Sequence, residues 1–224
     1  MKKNITCTFL CFIILCISHA QDSVHPTFDK ISTPYIYFDR VFNGKTLLFD
    51  NTWVRAKLLT ANNSTISNDS LLFNFDKIDQ RLLVTADFKK VSEIDWREFK
   101  AILFYLHDSA YVFKHIYYIS NKDLFQVLIT NDGKYSLFKT IRTKLVRGEY
   151  TARAIDEYVD MPEYCILFPN KEYRTFHLLK RGSIEKVFKL NPDLDTVNNF
   201  LNSAGNKEQY SEEDLIRLIT YLNK

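Results

Sequence analysis

Two runs rich in β-branched and aromatic residues, Leu124-Phe125-Gln126-Val127-Leu128-Ile129-Thr130 and Tyr135-Ser136-Leu137-Phe138-Lys139-Thr140-Ile141, flank Asn131-Asp132-Gly133-Lys134. Asp-Gly between such runs is a strong hairpin signal, because a tight primed turn needs positive φ at its centre and glycine reaches it without strain. A two-residue loop at Asp132-Gly133 sets Val127 opposite Phe138 and Leu128 opposite Leu137. Successive side chains of a strand point to opposite faces, so both faces of this hairpin carry apolar pairs. Such a hairpin belongs in the middle of a sheet that is covered on both sides.

The rest of residues 33–179 fits an antiparallel sheet around it. Residues 35–42 and 46–49 flank Asn43-Gly44, a second hairpin signal, and residues 53–59 follow as a strand. The stretch 61–70, rich in Asn, Ser and Thr, reads as an exposed loop. Leu71, Phe73 and Phe75 alternate with Leu72, Asn74 and Asp76 at the period of a half-buried strand, with residues 82–85 as its partner. Residues 99–106, 111–119, 164–168 and 173–179 complete the set. No amphipathic helix separates these strands, which argues against a parallel α/β sheet. The body, residues 21–179, is expected to be an antiparallel meander, sandwich or open barrel.

After Leu179 the apolar period becomes helical. Ser183 is placed to cap a short helix through Phe188, and Asn191-Pro192 to start another, since Pro is tolerated at the first helical position. Ser211-Glu212-Glu213-Asp214 resembles a capping box, and Leu215, Leu218, Ile219 and Leu222 follow at i, i+3, i+4 and i+7. The tail, residues 180–224, should dock these stripes on the sheet, giving one mainly β (α+β) domain over 21–224.

Residues 1–20 have the pattern of a secretory signal: Lys2 and Lys3, an apolar run over 9–17, and Ser18-His19-Ala20 as a small-x-small cleavage site. The mature chain then begins at Gln21. The apolar run falls far short of the ~20 residues that span a bilayer, and no later run reaches that length. Of the four cysteines, Cys7, Cys11 and Cys16 fall in the signal, so only Cys165 remains and no intramolecular disulfide framework is available. Stability has to come from an apolar core, which a mature chain of this length can bury. Removing Lys2 and Lys3 takes 30 basic side chains to 28 against 27 acidic ones, formally +1. That balance, with export, argues against a nucleic-acid partner.

Candidate chemistry is sparse. Cys165 sits in the apolar run Tyr164-Cys165-Ile166-Leu167-Phe168 with no adjacent His, which reads as core rather than nucleophile. No two of His25, His107, His115 and His177 have metal-ligand spacing, although His107 and His115 would meet across a hairpin at 108–110; no metal or cofactor is expected. Carboxylates cluster at Glu93, Asp95 and Glu98, and at Asp156, Glu157, Asp160 and Glu163; if the two groups converge on a groove, they suit glycoside hydrolysis. Lys139, Arg142, Lys144 and Arg147, with Lys134 and Arg153 nearby, form the densest basic stretch and are the candidate contacts for an anionic glycan or lipid head group. Strand alternation places Arg142 and Lys144 on one face and Lys139 and Arg147 on the other. Trp53 and Trp96 read as core or as sugar-stacking aromatics.

With the signal, the central hairpin, the strand pair at 164–168 and 173–179, and the tail from Asp214-Leu215-Ile216 to Tyr221-Leu222-Asn223 in this order, the chain resembles the uncharacterised exported proteins of Bacteroidetes-type bacteria. The resemblance implies a Gram-negative location, periplasm or cell envelope or secreted beyond it, and supplies no catalytic residue. Such bacteria O-glycosylate exported proteins at Asp-Ser/Thr-apolar triplets, and Asp69-Ser70-Leu71 in the polar loop makes Ser70 the candidate acceptor. Three functions stay open: a non-enzymatic protein that binds or scaffolds another envelope protein or glycan, a carbohydrate-active hydrolase, and a carrier of a small apolar ligand or lipid.

Overall fold

The computed structural model describes residues 32–33, 44–147, 157–205 and 207–224. The export signal expected at 1–20, His25, the strand expected over 35–42, Arg153 and Asp156 lie outside them.

The hairpin sits mid-sheet, as its two apolar faces require. Its arms are β9 (Leu124–Ile129) and β10 (Ser136–Val146), flanked by β8 (Ser109–His115) and β7 (Phe99–Leu106) on one side and by β11 (Glu157–Leu167) and β12 (Tyr173–Phe176) on the other. β2 (Arg55–Thr60) and β3 (Thr65–Ser67) complete an eight-stranded antiparallel sheet in the order β12-β11-β10-β9-β8-β7-β2-β3. Val127 pairs with Phe138 as expected, but Leu137 pairs with Ile129, so Leu128 falls at a bulge instead of facing Leu137. The turn explains the shift: Gly133 has φ +74° while Asp132 stays out of the positive-φ region, so this is not the two-residue primed turn.

A smaller antiparallel sheet is a meander of β4 (Leu72–Asp76), β5 (Arg81–Thr85) and β6 (Val91–Ile94), with the two-residue β1 (Ser32–Thr33) beside β6. Val54 bridges to Phe73 of β4 and then runs into β2, so one segment ties the two sheets together. Among the described residues the strands do not close into a barrel. Three helices follow: α1 (Arg181–Phe188), α2 (Leu194–Ser203) and α3 (Glu212–Leu222).

Register shows how one face of the large sheet holds two cores. Ile66, Leu58, Ile102, Phe113, Gln126, Lys139, Tyr164 and Phe176 are neighbours across successive strands, so they form a single row on this front face. Over the first half, Leu58, Ile102, Phe104 and Phe113 bury against Phe73, Phe75, Leu82 and Ile94 of the small sheet. Over the second, Leu137, Tyr164 and Ile166 bury against Ile184, Phe188, Val197, Leu215 and Ile219 of the helices. Each such side chain contributes about 1.5–3 kcal/mol through burial. Gln126 and Lys139 mark the seam between the halves. Behind β9, β10 and β11 the back face is covered by the 116–123 segment, where Ile116, Phe125, Phe138 and Cys165 are buried together.

Several local expectations change. Residues 46–49 are not a strand: a 3-10 turn over Gly44–Thr46 leads to an isolated bridge between Leu47 and Asp76. This segment covers the back of β4, so β4 is buried on both faces instead of one. Asn74, fully buried, makes that cover possible by donating to the Asp50 and Thr52 carbonyls (3.1 and 3.0 Å) and accepting from Phe49 N–H (3.3 Å). The polar stretch 61–70 contains β3, paired to β2. The expected strand over 111–119 ends at His115. β11 starts at Glu157, and Pro162 is tolerated there because β12 pairs only from Tyr164 onward. α1 starts before Ser183, which lies inside it, and α2 starts at Leu194, after Pro192, with Asn191 Oδ1 accepting from Asp193 N–H (2.9 Å).

α3 begins where the capping box places it. Ser211 Oγ accepts from Asp214 N–H (3.1 Å) and Asp214 Oδ2 accepts from Ser211 N–H (3.0 Å). The tail docks through polar as well as apolar contacts. Tyr164 Oη donates to Glu212 (2.9 Å), Tyr135 Oη to Asp193 (2.5 Å), and Asn223 pairs with both backbone groups of Tyr135 (2.9 Å each).

Candidate functional site

The second half of β10 pairs with β11 but no longer with β9, and it reaches the small sheet instead. Thr143 N–H donates to the Lys77 carbonyl (3.4 Å), and Gln80 Nε2 donates to the carbonyls of Lys77 (2.9 Å) and Ile141 (3.2 Å). The buried Lys77 ammonium and the Thr143 hydroxyl both bind Asp160 (2.8 and 2.5 Å). Where this ribbon departs, the β4–β5 turn, β5, β6, the 116–123 segment and β10 enclose a polar cleft of about 350 Å³.

Its floor is held rigidly. Trp96, buried, donates Nε1–H to the Gln80 carbonyl (2.7 Å) and stands edge-on to His115 (5.1 Å). Asp95 caps the 3-10 turn Trp96–Glu98 by accepting from Arg97 N–H (3.1 Å). This places Trp96 inward and Arg97 on the wall.

The walls carry four cations, Arg81, Arg97, Lys122 and Arg142, and three carboxylates, Asp79, Glu93 and Asp95, besides Asn121. Arg97 grips Asp95 through Nε and Nη2 (2.7 and 2.8 Å), and these bonds hold the Asp95 carboxyl below the ordinary carboxylate range and raise Arg97. Arg81 pairs with Glu93 (3.2 Å) across β5 and β6. Arg142 is bonded through Nε and Nη2 to the buried Asp123, which also accepts from Ser120 Oγ (2.6 Å). Arg97 and Arg142 thus have their planes fixed, by Asp95 on the same wall and by the buried Asp123, while Nη1 of each has no partner among the described residues; neither does the Lys122 ammonium. Clamped guanidinium groups of this kind bind an anion with little loss of side-chain freedom.

The basic stretch does not form one surface. Lys139 faces the helices, held by Glu212 (2.6 Å) over the Tyr164 ring, whereas Arg142 and Lys144 lie on the opposite face of β10. Only Arg142 lines the cleft; Lys144 and Arg147 are exposed along the ribbon. Ser70 is exposed, in a turn where its N–H donates to Asn68 Oδ1 (2.9 Å). The acidic clusters also separate. Glu93 and Asp95 line the cleft, while Asp160 is tied to Lys77, Glu157 to Lys45 (3.4 Å), and Glu163 lies near His177 (3.7 Å).

His107 lies in the β7–β8 turn and His115 at the far end of β8, so the two do not meet. No group of three potential metal ligands occurs among the described residues. Cys165 is fully buried, and burial, aided by Glu163, pushes its thiol up to about 12, the opposite of a nucleophile's tuning. No helix among the described residues is long and apolar enough to cross a membrane. A second concavity, about 460 Å³, is an open groove between β12 and α1 walled by Phe176, Val187, Arg174 and Lys186, with Arg174 already donating to the Val187 carbonyl (2.6 Å).

Arg81, Arg97 and Lys122 escape sequence reading because they come from three separate segments, and the short β6 shows no alternation. The one local clue is Asp95 two residues before Arg97, a side chain placed both to cap a turn and to hold a guanidinium. No family model matches this chain, and neither a curated protein nor a solved structure is significantly similar to it.

Proposed function

We propose that this chain is an exported protein of the cell envelope that binds or scaffolds another envelope component without chemical turnover, and that the polar cleft is its contact site. The supporting observation is that the cleft carboxylates Glu93 and Asp95 are each closed onto a guanidinium. A glycoside hydrolase needs a carboxylic acid with raised pKa facing a second carboxylate. Asp95 is displaced the other way, and Asp160 of the second acidic cluster is engaged on the ribbon. The filled interior on both halves of the sheet likewise favours a binder over a carrier that encloses an apolar ligand.

Two measurements test this reading. Expression of residues 1–224 in a Gram-negative host is expected to yield a mature chain starting at Gln21 in the envelope fraction; an intact Met1 terminus in the cytosol contradicts export. Incubation with purified envelope glycans is expected to retain the protein without releasing reducing ends. Released ends that disappear in Glu93→Gln make it an enzyme instead.

A further inference from the structure

We infer that the cleft takes an acidic saccharide, with the ligand's single carboxylate among Arg97, Lys122 and Arg142 and its hydroxyl groups on the carboxylates and Asn121. This rests on the binding role proposed above and names the ligand class. Three observations converge on it.

The first is charge. Four cations and three carboxylates line the cleft, and Asp123 bonded to Arg142 brings the site to formal balance, with Lys122 as the cation that has no carboxylate partner among the described residues. A single negative charge suits that one unmatched ammonium, whereas a phosphate dianion or a sulfated chain would bring further charge against Asp79, Glu93 and Asp95. The second is preorganisation. Arg97 and Arg142 are each held by a carboxylate through Nε and Nη2, with Nη1 of each and the Lys122 ammonium left without a partner among the described residues. The third is acceptor density. An ionised carboxylate has about four lone-pair sites, so Glu93 and Asp95 keep capacity after pairing with arginine. Acceptors interleaved with cations suit a ligand that presents several O–H donors beside one anion. A bare inorganic anion uses none of them.

The test is a titration of the mature chain, residues 21–224, with glucuronate, its neutral methyl ester and sodium sulfate, followed by nuclear magnetic resonance. Glucuronate is expected to shift resonances of residues 78–97 and 121–122, and the methyl ester to bind about tenfold more weakly, the loss of about one charge-assisted contact. Sulfate is expected to compete weakly. Lys122→Gln removes no contact among the described residues and is expected to weaken glucuronate at least about fivefold at unchanged melting temperature. Arg142→Gln should weaken glucuronate as well, but with a lowered melting temperature, because the buried Asp123 loses its cationic partner.

Equal affinity for glucuronate and its ester overturns the inference, and so does sulfate binding as tightly as glucuronate. Silence towards all three probes while the wild-type chain is still retained on envelope glycans also overturns it, yet leaves the binding role standing. Silence together with no retention removes both.

Discussion

The helix-covered half of the large sheet and the polar cleft beside the small sheet use the same charged residue types to opposite ends. On the helix-covered half, Asp214 is almost fully enclosed and receives Lys207 (2.9 Å), Arg217 and Ser211 N–H, and Glu212 is shared by Lys139 and Tyr164. At the cleft, Arg97 and Arg142 keep 59% and 54% of their side-chain surface exposed. Where charges are enclosed they position a helix; where they stand open around a concavity, as Lys122 does, they contribute little to stability and keep donors for a ligand. Composition is the same in both places. Burial decides the role.

The largest effects should come from the cores. Phe104→Ala and Phe188→Ala each empty a fully buried site, one in each half, and should cost about 3–5 kcal/mol in chemical denaturation. Because β8, β9 and β10 join the halves through one hydrogen-bonded sheet, both variants should still unfold in a single transition. Loss of helical signal ahead of β-sheet signal in Phe188→Ala would instead make the halves separate folding units.

Next comes Asp214→Ala, which removes the capping box and leaves its partners unsatisfied, at about 2–3 kcal/mol at neutral pH. The Asp214 carboxyl is held far below the ordinary carboxylate range, first by the Ser211 backbone and then by Lys207. Its stabilisation is therefore present above the unfolded pKa near 4 and is lost as pH falls towards the folded value. The wild-type and variant curves should converge as acid is added; a constant gap down to pH 2 would count against the assignment.

At the alkaline end the sign reverses. Burial raises the phenol pKa of Tyr135 and Tyr164, assisted at Tyr135 by Asp193 and at Tyr164 by Glu212. The unfolded chain ionises first, so stability should fall as pH rises past about 10. Tyr135→Phe, losing hydrogen bonds to Asn191 and Asp193, should cost about 1 kcal/mol at neutral pH and flatten this limb. An unchanged alkaline slope would mean these phenols are not what titrates.

Strong local signals located the central hairpin and α3 in the sequence. Asp132-Gly133 between apolar runs and Ser211 with Asp214 each state a backbone geometry within a few residues. The Leu128 bulge was not legible, because it follows from the turn Gly133 adopts, not from its presence. β11 was only half visible: Glu157 to Glu163 has little strand propensity, and its pairing rests on β10 and on Lys77 reaching Asp160 across 83 residues. The cleft depends on contacts of the same kind. Arg142 was recognised as a candidate, but its companions Arg97 and Lys122 become neighbours only once β10 crosses to the small sheet.

The contrast between the cleft and the helix-covered half is tested most directly by measuring glucuronate affinity and thermal melting side by side for Lys122→Gln and Asp214→Ala. Lys122→Gln should lose affinity at constant melting temperature, while Asp214→Ala should melt roughly 4–12 °C lower with affinity intact below its melting range. A Lys122→Gln protein that melts early, or an Asp214→Ala protein that stays folded and loses the ligand, would contradict the division between open and enclosed charge.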